Sequence, residues 1–237
     1  MASVRRIEAE WLDELPAEDP RAIGSRRDLR RVNTLMLQTG ITVRALRRHW
    51  TGAPPRTLLE IGAGDGTFML RVARQLAPEW PNLHVTLLDQ RHCIAATTQQ
   101  AIGRLTWTAT PVIADAFDHL AALTSRVDII TVNLVLHHFQ PERLAELCAR
   151  AARSTRLFIA SEPRRGPSAL IGSMLLGAIG CNDVTRHDAV VSVRAGFRGR
   201  ELSASWPREA GWQLEERAAG PFSHLFVAQR AAQGSTP

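Results

Sequence analysis

The segment 57–66, with the sequence TLLEIGAGDG, constrains the fold of this chain more than any other. Its first half is an apolar run typical of a buried strand, and its second half has glycine at every second position, at Gly62, Gly64 and Gly66. Glycine adopts backbone conformations closed to other residues and lets a ligand approach the main chain closely. Because apolar residues recur at helical spacing from Thr67 onward, the segment predicts a strand, a ligand-binding loop and a helix in succession.

Acidic residues at the ends of successive strands indicate which cofactor this loop binds. A dinucleotide site would read G-x-G-x-x-G, whereas this chain reads G-x-G-x-G. Glu60, at the end of the first strand, would repel a diphosphate but could meet a cationic amino group, directly or through water. Asp89 follows the second apolar strand, where a carboxylate can accept hydrogen bonds from both ribose hydroxyls. Asp115 follows a third strand, where it could receive an adenine amino group beside Phe117.

These residues make the chain resemble the class I S-adenosylmethionine-dependent methyltransferases, over residues 57–162 and again near the C-terminus. The resemblance implies an enzyme whose cofactor, S-adenosylmethionine, lies with its methionine part against the glycine loop. It also implies that Asp89 holds the ribose and that Asp115 with Ala116 reads the adenine. The predicted cofactor-binding residues are Glu60, Gly62, Ala63, Gly64, Asp89, Gln90, Asp115, Ala116 and Asn133. A cofactor-free α/β domain is the alternative.

The pattern after the glycine loop predicts a doubly wound, Rossmann-like α/β fold, mostly parallel with an antiparallel C-terminal strand. Strand-like runs alternate with helical ones; the runs lie at 84–88, 108–114, 127–134 and 156–160. Such alternation is typical of a parallel sheet whose ligand lies at the carboxyl ends of the strands. Two further runs at 211–216 and 222–229, joined by a Gly-Pro pair, predict a hairpin.

The same pattern divides the chain into three parts. Residues 1–56 are predicted to form an N-terminal helical cap, in which Ser25 begins a helix. Residues 57–230 are predicted to form the cofactor-binding domain, with a substrate lid inserted at about 163–205. Residues 231–237 are expected to be a disordered tail.

Composition agrees with one globular enzyme. With 237 residues, 45% of them hydrophobic, the chain is long enough for one large domain. The longest apolar stretch, 169–179, is far short of a membrane span, so no span and a cytoplasmic location are expected. Three widely spaced cysteines, Cys93, Cys148 and Cys181, favour reduced, packed thiols over a disulfide framework or a zinc cluster, and no metal is predicted.

The formal net charge of +6 would normally suggest a nucleic-acid partner. All 29 basic residues are arginine, a bias typical of a GC-rich genome. Arginine pairs such as Arg26-Arg27 and Arg47-Arg48 lie on candidate helices, where a solvated face is the simpler interpretation. We therefore expect a small-molecule substrate, and nucleic acid is the less favoured partner.

Two histidines follow the fourth predicted strand, which ends near Asn133. Enzymes that methylate amino groups of nucleobases or glutamine commonly carry Asn-Pro-Pro-Tyr or Asp-Pro-Pro-Tyr at this place, and this chain does not. That difference counts against a DNA or protein amide target but does not exclude ribosomal RNA. His137 and His138 could supply a general base or merely orient the loop.

The predicted lid contains a second candidate for the base. Its apolar run, 169–179, precedes a polar string at 181–188, and an apolar wall beside His187 and Asp188 would suit a hydrophobic phenol. A phenol has a pKa of about 10, so a base would help at neutral pH. His187 is the first candidate, oriented by Asp188. The alternative is an ordinary packed helix capped by Asp183 or Asp188.

A second, narrower resemblance involves three segments, 28–33, 180–188 and 193–197. They look like bacterial methyltransferases associated with type III polyketide synthases and phenolic lipids. This resemblance implies O-methylation of an aromatic polyketide. An RNA methyltransferase, an oxidoreductase and a non-catalytic cofactor-binding partner in a biosynthetic complex are the competing classes.

Overall fold

Seven strands form one sheet in the computed structural model, which describes residues 4–16, 18–91, 94–209 and 211–231. The strands are β1 (Thr57–Ile61), β2 (His84–Asp89), β3 (Thr108–Ile113), β4 (Val127–Asn133), β5 (Thr155–Pro163), β6 (Trp212–Ala218) and β7 (Ser223–Arg230). Their order across the sheet is β3-β2-β1-β4-β5-β7-β6. The first five are parallel, and β7 runs antiparallel to both β5 and β6. The predicted fold class and the C-terminal hairpin are therefore confirmed.

Helices cover both faces of this sheet. They are α1 (Trp11–Glu14), α2 (Pro20–Leu35), α3 (Gln38–His49), α4 (Thr67–Leu76), α5 (Ala96–Gly103), α6 (Ala116–Ala122), α7 (Pro141–Ser154), α8 (Pro167–Met174), α9 (Asp183–Ala195) and α10 (Glu201–Ser205), with 3-10 turns at Leu136–His138 and Leu175–Ile179. One apolar core joins α3, α4 and α5 to the sheet, and a second joins α6, α7 and α10 to its other face. Since successive strand residues point to opposite faces, Leu58 lies in the first core and Leu59 in the second.

Strand register places the functional loops at one edge. Glu60 of β1 lies opposite Leu87 of β2 and Thr131 of β4. These parallel strands therefore end level with one another, and the loops that follow them share the carboxyl edge of the sheet. In open α/β sheets this edge is where ligands bind.

The prediction that Ser25 begins a helix is wrong. Helix α2 begins at Pro20, and the side chain of Asp19 caps it by accepting a hydrogen bond of 2.8 Å from the Arg21 N–H. Ser25 lies inside the helix on a buried face and accepts a hydrogen bond of 3.0 Å from the Thr185 hydroxyl of α9. The face of α2 that packs against α9 includes the polar residues Ser25 and Asp28. Apolar periodicity therefore does not show where α2 begins.

Helix α9 is capped by Asn182, so the assignment of its cap to Asp183 or Asp188 is also wrong. The Asn182 side chain accepts a hydrogen bond of 2.9 Å from the Thr185 N–H. Asp183 is the first helical residue, and Asp188 lies in the second turn, where it bonds to the N-terminal segment.

Among the described residues, no helix is long and apolar enough to cross a membrane.

Two of the three cysteines confirm the expected packing. Cys148 and Cys181 are free and buried, and burial raises the pKa of the Cys148 thiol to about 12. Both are therefore thiols at neutral pH. Cys93 and residues 232–237 lie outside the part of the chain that the structure describes.

Candidate active site

The glycine loop after β1 has the left-handed backbone that its sequence requires, with φ angles of 75°, 55° and 72° at Gly62, Gly64 and Gly66. A side chain at Gly62 would place its Cβ 2.3 Å from Cγ2 of Val135, so Gly62 lets this loop pack against the loop after β4. Among the residues that the structure describes, a Cβ at Gly64 would meet nothing within 4 Å. Gly64 therefore borders open space at the carboxyl edge, where a ligand could lie against its main chain.

Asp89 is fixed beside the glycine loop. Its Oδ2 accepts a hydrogen bond from the Gly64 N–H, and its Oδ1 accepts one of 2.9 Å from the Arg91 N–H. The N–H groups of Gly62 and Ala63 donate to the carbonyl of Leu88, at 2.8 and 3.0 Å. The end of β2 and the loop after β1 thus form one hydrogen-bonded unit with a carboxylate at its rim.

Asp115 connects the next two loops. Its Oδ1 accepts hydrogen bonds from the N–H groups of Phe117 and Asp118, at 2.8 and 3.3 Å, and so caps α6. Its Oδ2 accepts a hydrogen bond of 2.9 Å from Nε2 of Gln90. Ala116, the first residue of α6, is buried beside it. Three of the predicted cofactor-binding residues, Gln90, Asp115 and Ala116, are therefore brought together.

Glu60 is a buried acid, one oxygen of which makes no hydrogen bond within the described part of the chain. Its side chain lies inside the protein, 1% exposed, and among the described residues its Oε2 has no hydrogen-bond partner. Burial, followed by the charges of Asp89 and Asp65, raises its pKa well above the usual value. A buried carboxylate in this state lacks the cation that would stabilise its charge. The position fits a ligand with an ammonium group, such as the methionine part of S-adenosylmethionine.

The described part of the chain holds further buried polar atoms that lack a hydrogen-bond partner. Oγ1 of Thr131, Oδ1 of Asn133 and Oδ1 of Asn33 are buried without a hydrogen-bond partner in the described part of the chain. Thr131 pairs in register with Glu60, and Asn133 ends the same strand. Buried polar atoms normally have partners, so Thr131 and Asn133, on the strand beside Glu60, fit a polar ligand that supplies them.

The N-terminal elements are tied to this edge. Nη1 of Arg30, on α2, lies 3.1 Å from Oδ2 of Asp65 in the glycine loop. Nη2 of Arg91, two residues after Asp89, lies 3.1 Å from Oδ1 of Asp13. The chain before β1 is therefore attached to the glycine loop and to the loop after β2.

The turn after β4 is built around Glu162, a fully buried residue of β5. Its Oε1 accepts hydrogen bonds from the N–H groups of Val135 and Leu136, at 3.0 and 2.9 Å. Its Oε2 lies 2.8 Å from Nδ1 of His137. Burial opposes the charge of His137, but the carboxylates of Glu10 and Glu162 outweigh that effect and raise its pKa to about 9. In this environment His137 is a proton donor rather than a base at neutral pH.

His138 differs from its neighbour in both exposure and charge. Its ring lies 4.2 Å from that of His137, and its side chain reaches the surface. Desolvation and then the nearby His137 lower its pKa. His138 is therefore neutral at physiological pH and can accept a proton.

Residues 4–14 lie across the same turn. Arg5 donates hydrogen bonds of 3.2, 2.9 and 3.0 Å to the carbonyls of Leu136, His137 and Phe139. Oε1 of Glu10 lies 3.5 Å from Nε2 of His137. Neither Arg5 nor Glu10 belongs to a motif, and sequence reasoning missed both.

The predicted pairing of His187 with Asp188 is present. Nδ1 of His187 lies 2.9 Å from Oδ1 of Asp188, and its ring stacks on Trp11 at a centroid distance of 3.9 Å. The buried Asp188 also accepts hydrogen bonds of 2.9 and 3.0 Å from the N–H groups of Trp11 and Leu12. Asp188 therefore both orients His187 and anchors α1.

A family model of the methyltransferase domain matches residues 58–156. An O-methyltransferase family protein from Burkholderia thailandensis has a similar structure, with a TM-score of 0.56 and 18% identity over 92% of this chain and 62% of that one. The plantazolicin methyltransferase BamL, solved with a triazolic desmethylPZN analogue and SAH, gives a TM-score of 0.61 and 12% identity over 92% of each chain. The mitomycin 7-O-methyltransferase MmcR gives 0.54 and 18%, over 93% of this chain and 60% of that one.

The chain thus spans about three fifths of the length of two of these structures. No curated protein matches its sequence. The match to the domain runs from β1 to the first two residues of β5 and includes the glycine loop, Asp89 and Asp115. Residues 58–156 therefore match a methyltransferase domain, and the chain has the fold of the class I methyltransferases, enzymes that use S-adenosylmethionine as methyl donor.

Proposed function

We propose that this protein methylates a hydroxyl group of a small hydrophobic or phenolic molecule. The observation that carries the proposal is the buried Glu60, whose Oε2 has no hydrogen-bond partner among the described residues, beside the main chain of Gly64, which faces open space in the same part of the chain. Two of the similar structures are described as O-methyltransferases, and these names support hydroxyl chemistry.

The residues at the carboxyl edge would hold the cofactor in sequence order. The Glu60 carboxylate faces the ammonium group, and the Gly64 main chain lies against the methionine part. Asp89 accepts hydrogen bonds from the ribose, while Gln90 and Asp115 bind the adenine edge. When bound, S-adenosylmethionine supplies a methyl group already activated on a sulfonium, so the protein's main task is to position the acceptor.

His187 is the proposed general base. Its hydrogen bond to Asp188 fixes one ring nitrogen and leaves the other to receive the proton of the substrate hydroxyl. His138 is the alternative base in the same region. His137 is excluded from this role because its raised pKa keeps it protonated at neutral pH.

An apolar surface on the predicted lid favours a hydrophobic acceptor. Four large side chains of α8 and the following 3-10 turn are roughly half exposed: Ile171, Met174, Leu175 and Ile179. They precede α9, which carries His187. An apolar wall beside a polar base suits a phenol whose ring is buried and whose hydroxyl is deprotonated.

The segments that suggested phenolic substrates are in contact. The Asn182 N–H donates a hydrogen bond of 2.9 Å to Oδ2 of Asp28, and the Thr185 hydroxyl lies 3.4 Å from the same oxygen. Segments 28–33 and 180–188 therefore form one packed unit. The link to type III polyketide synthases stays a prediction.

Incubation with methyl-labelled S-adenosylmethionine and a panel of phenols, matched anilines and RNA tests the proposal. We expect mass spectrometry to find the label on a phenol oxygen, with aniline and RNA unlabelled. Label on RNA, with binding that weakens steeply as salt rises, would support the RNA alternative. Tight cofactor binding without turnover on any acceptor would favour a non-catalytic partner.

A further inference from the structure

We propose that Glu10, His137 and His138 form a binding site for a divalent transition metal, with Zn²⁺ as the best match. One ligand atom from each of the three side chains lies within 4.8 Å of the others. Two imidazoles and a carboxylate are a ligand set typical of zinc sites that keep a position open. The proposal concerns metal binding and stands whether or not a phenol is the substrate.

The spacing of Glu10 and His137 fits two neighbouring ligands of one metal ion. Oε1 of Glu10 and Nε2 of His137 are 3.5 Å apart, beyond the usual N–H···O range. Two ligands at about 2.0–2.2 Å from a tetrahedral ion lie roughly 3.4 Å from each other. The two side chains are therefore placed as neighbouring ligands would be.

The second nitrogen of His137 lies at ion-pair distance from Glu10 but makes no hydrogen bond in the described part of the chain. The residue is 2% exposed, yet in the described part of the chain Nε2 has no hydrogen-bond partner. Its Nδ1 is held at 2.8 Å by Glu162, which fixes the orientation of the ring. A carboxylate on the far nitrogen of a histidine is the usual outer contact of a metal-binding imidazole.

The other two ligands suit their roles. Glu10 is half-buried, and the Ser192 hydroxyl donates a hydrogen bond to its Oε1. His138 is exposed, so the solvent side of the cluster can provide water or a substrate oxygen as a fourth ligand. A bound ion would lower the pKa of such a hydroxyl, as metal ions do for bound water.

Cobalt and zinc titrations of the chelator-treated protein test this inference. We expect calorimetry to show one Zn²⁺ per chain, and Co²⁺ to produce visible absorption bands of a low-coordinate site. His138→Ala and Glu10→Gln should each weaken Zn²⁺ binding by more than about 10-fold, the lower limit for losing an outer contact. His84 is an exposed histidine at the first residue of β2, the end away from the carboxyl edge of the sheet. His84→Ala should therefore leave Zn²⁺ affinity unchanged.

Two results would contradict the proposed metal site. No Zn²⁺ binding by the folded wild-type protein would identify the cluster as a protonated His137 held between two carboxylates. Wild-type Zn²⁺ affinity in both His138→Ala and Glu10→Gln would place the ion elsewhere. Since His138 is exposed, its removal should not unfold the protein, and circular dichroism checks this. Binding of S-adenosylhomocysteine to the metal-free protein separates failure of this site from failure of the cofactor site.

Discussion

The main-chain N–H of Gly64 donates a hydrogen bond of 2.8 Å to Oδ2 of Asp89. This bond joins the glycine loop after β1 to the carboxylate at the end of β2. Gly64 therefore borders the space proposed for the ligand, and Asp89 places its carboxylate, the proposed ribose acceptor, beside that space. The proposed cofactor site depends on both loops, because each one fixes the position of the other.

Gly64→Ala should abolish or strongly weaken binding of S-adenosylhomocysteine while the protein still folds. The new methyl group would project into the space proposed for the ligand, and the positive φ of 55° adds roughly 1–2 kcal/mol of strain. Gly52→Ala is the matched control, since Gly52 also has a positive φ and open surroundings but lies before β1, away from the carboxyl edge. Equal losses of affinity in the two variants would show that strain alone is responsible.

Glu60→Gln should weaken binding of S-adenosylhomocysteine by roughly 10- to 150-fold, the range of a hydrogen bond to a charged group. The empty variant should also become less sensitive to high pH. Because the folded-state pKa of Glu60 is raised, folding is favoured while the acid is protonated, and stability falls as pH rises above its ordinary pKa. Calorimetry and thermal melting across pH check both effects, with the exposed Glu142→Gln as control. A less stable empty variant would contradict this explanation.

Glu216 should contribute to resistance against acid. Its fully buried carboxylate lies 2.8 Å from Nε2 of His224 and accepts hydrogen bonds from the N–H groups of Leu202 and Ser203. Burial alone would raise its pKa, but the hydrogen bonds from His224 and Ser203 outweigh burial and lower it. The stabilisation is therefore present above the unfolded-state pKa and is lost as pH falls through the lower folded value.

Removal of this carboxylate gives the corresponding measurement. Glu216→Gln should lower the free energy of unfolding at pH 7 by about 1–3 kcal/mol and flatten its fall in acid. Urea denaturation between neutral and acidic pH measures both quantities. An unchanged pH dependence would show that other carboxylates determine the acid response.

His187→Ala should reduce turnover of a phenol by about 100-fold or more and leave affinity for S-adenosylhomocysteine unchanged. The loss should shrink as pH rises toward the ionisation of the phenol, because the ionised substrate no longer needs a base. His84→Ala is the control for loss of an exposed histidine. Normal turnover by His187→Ala at neutral pH would move the base to His138 or show that positioning alone suffices.

Local patterns explain which parts could be predicted. The apolar run, the glycines and the helix from Thr67 are consecutive in sequence, and the structure has them as β1, the loop and α4. The Gly-Pro pair similarly marks the turn between β6 and β7. In each case neighbouring residues determine the backbone, so the sequence contains the signal.

Contacts between distant segments explain what was missed. Arg5 bonds to Leu136 across 131 positions, and Asp188 bonds to Trp11 across 177. Glu10 meets His137 only because the N-terminal segment lies along α9, where Ser192 bonds to it. The spacing of apolar residues in the sequence gives no signal for such long-range contacts. Ser25 was misjudged for the same reason, since its partner is Thr185.

Calorimetric titration of S-adenosylhomocysteine into the wild-type, Asp89→Ala and Asp118→Ala proteins tests the cofactor site most directly. Asp118 is an exposed acid near the same edge, so its variant controls for loss of charge. We expect one site in the wild type and in Asp118→Ala, and a loss of about 1–3 kcal/mol in Asp89→Ala because the ribose hydroxyls lose their acceptor. Wild-type affinity in a folded Asp89→Ala protein would contradict the placement of the cofactor at the glycine loop.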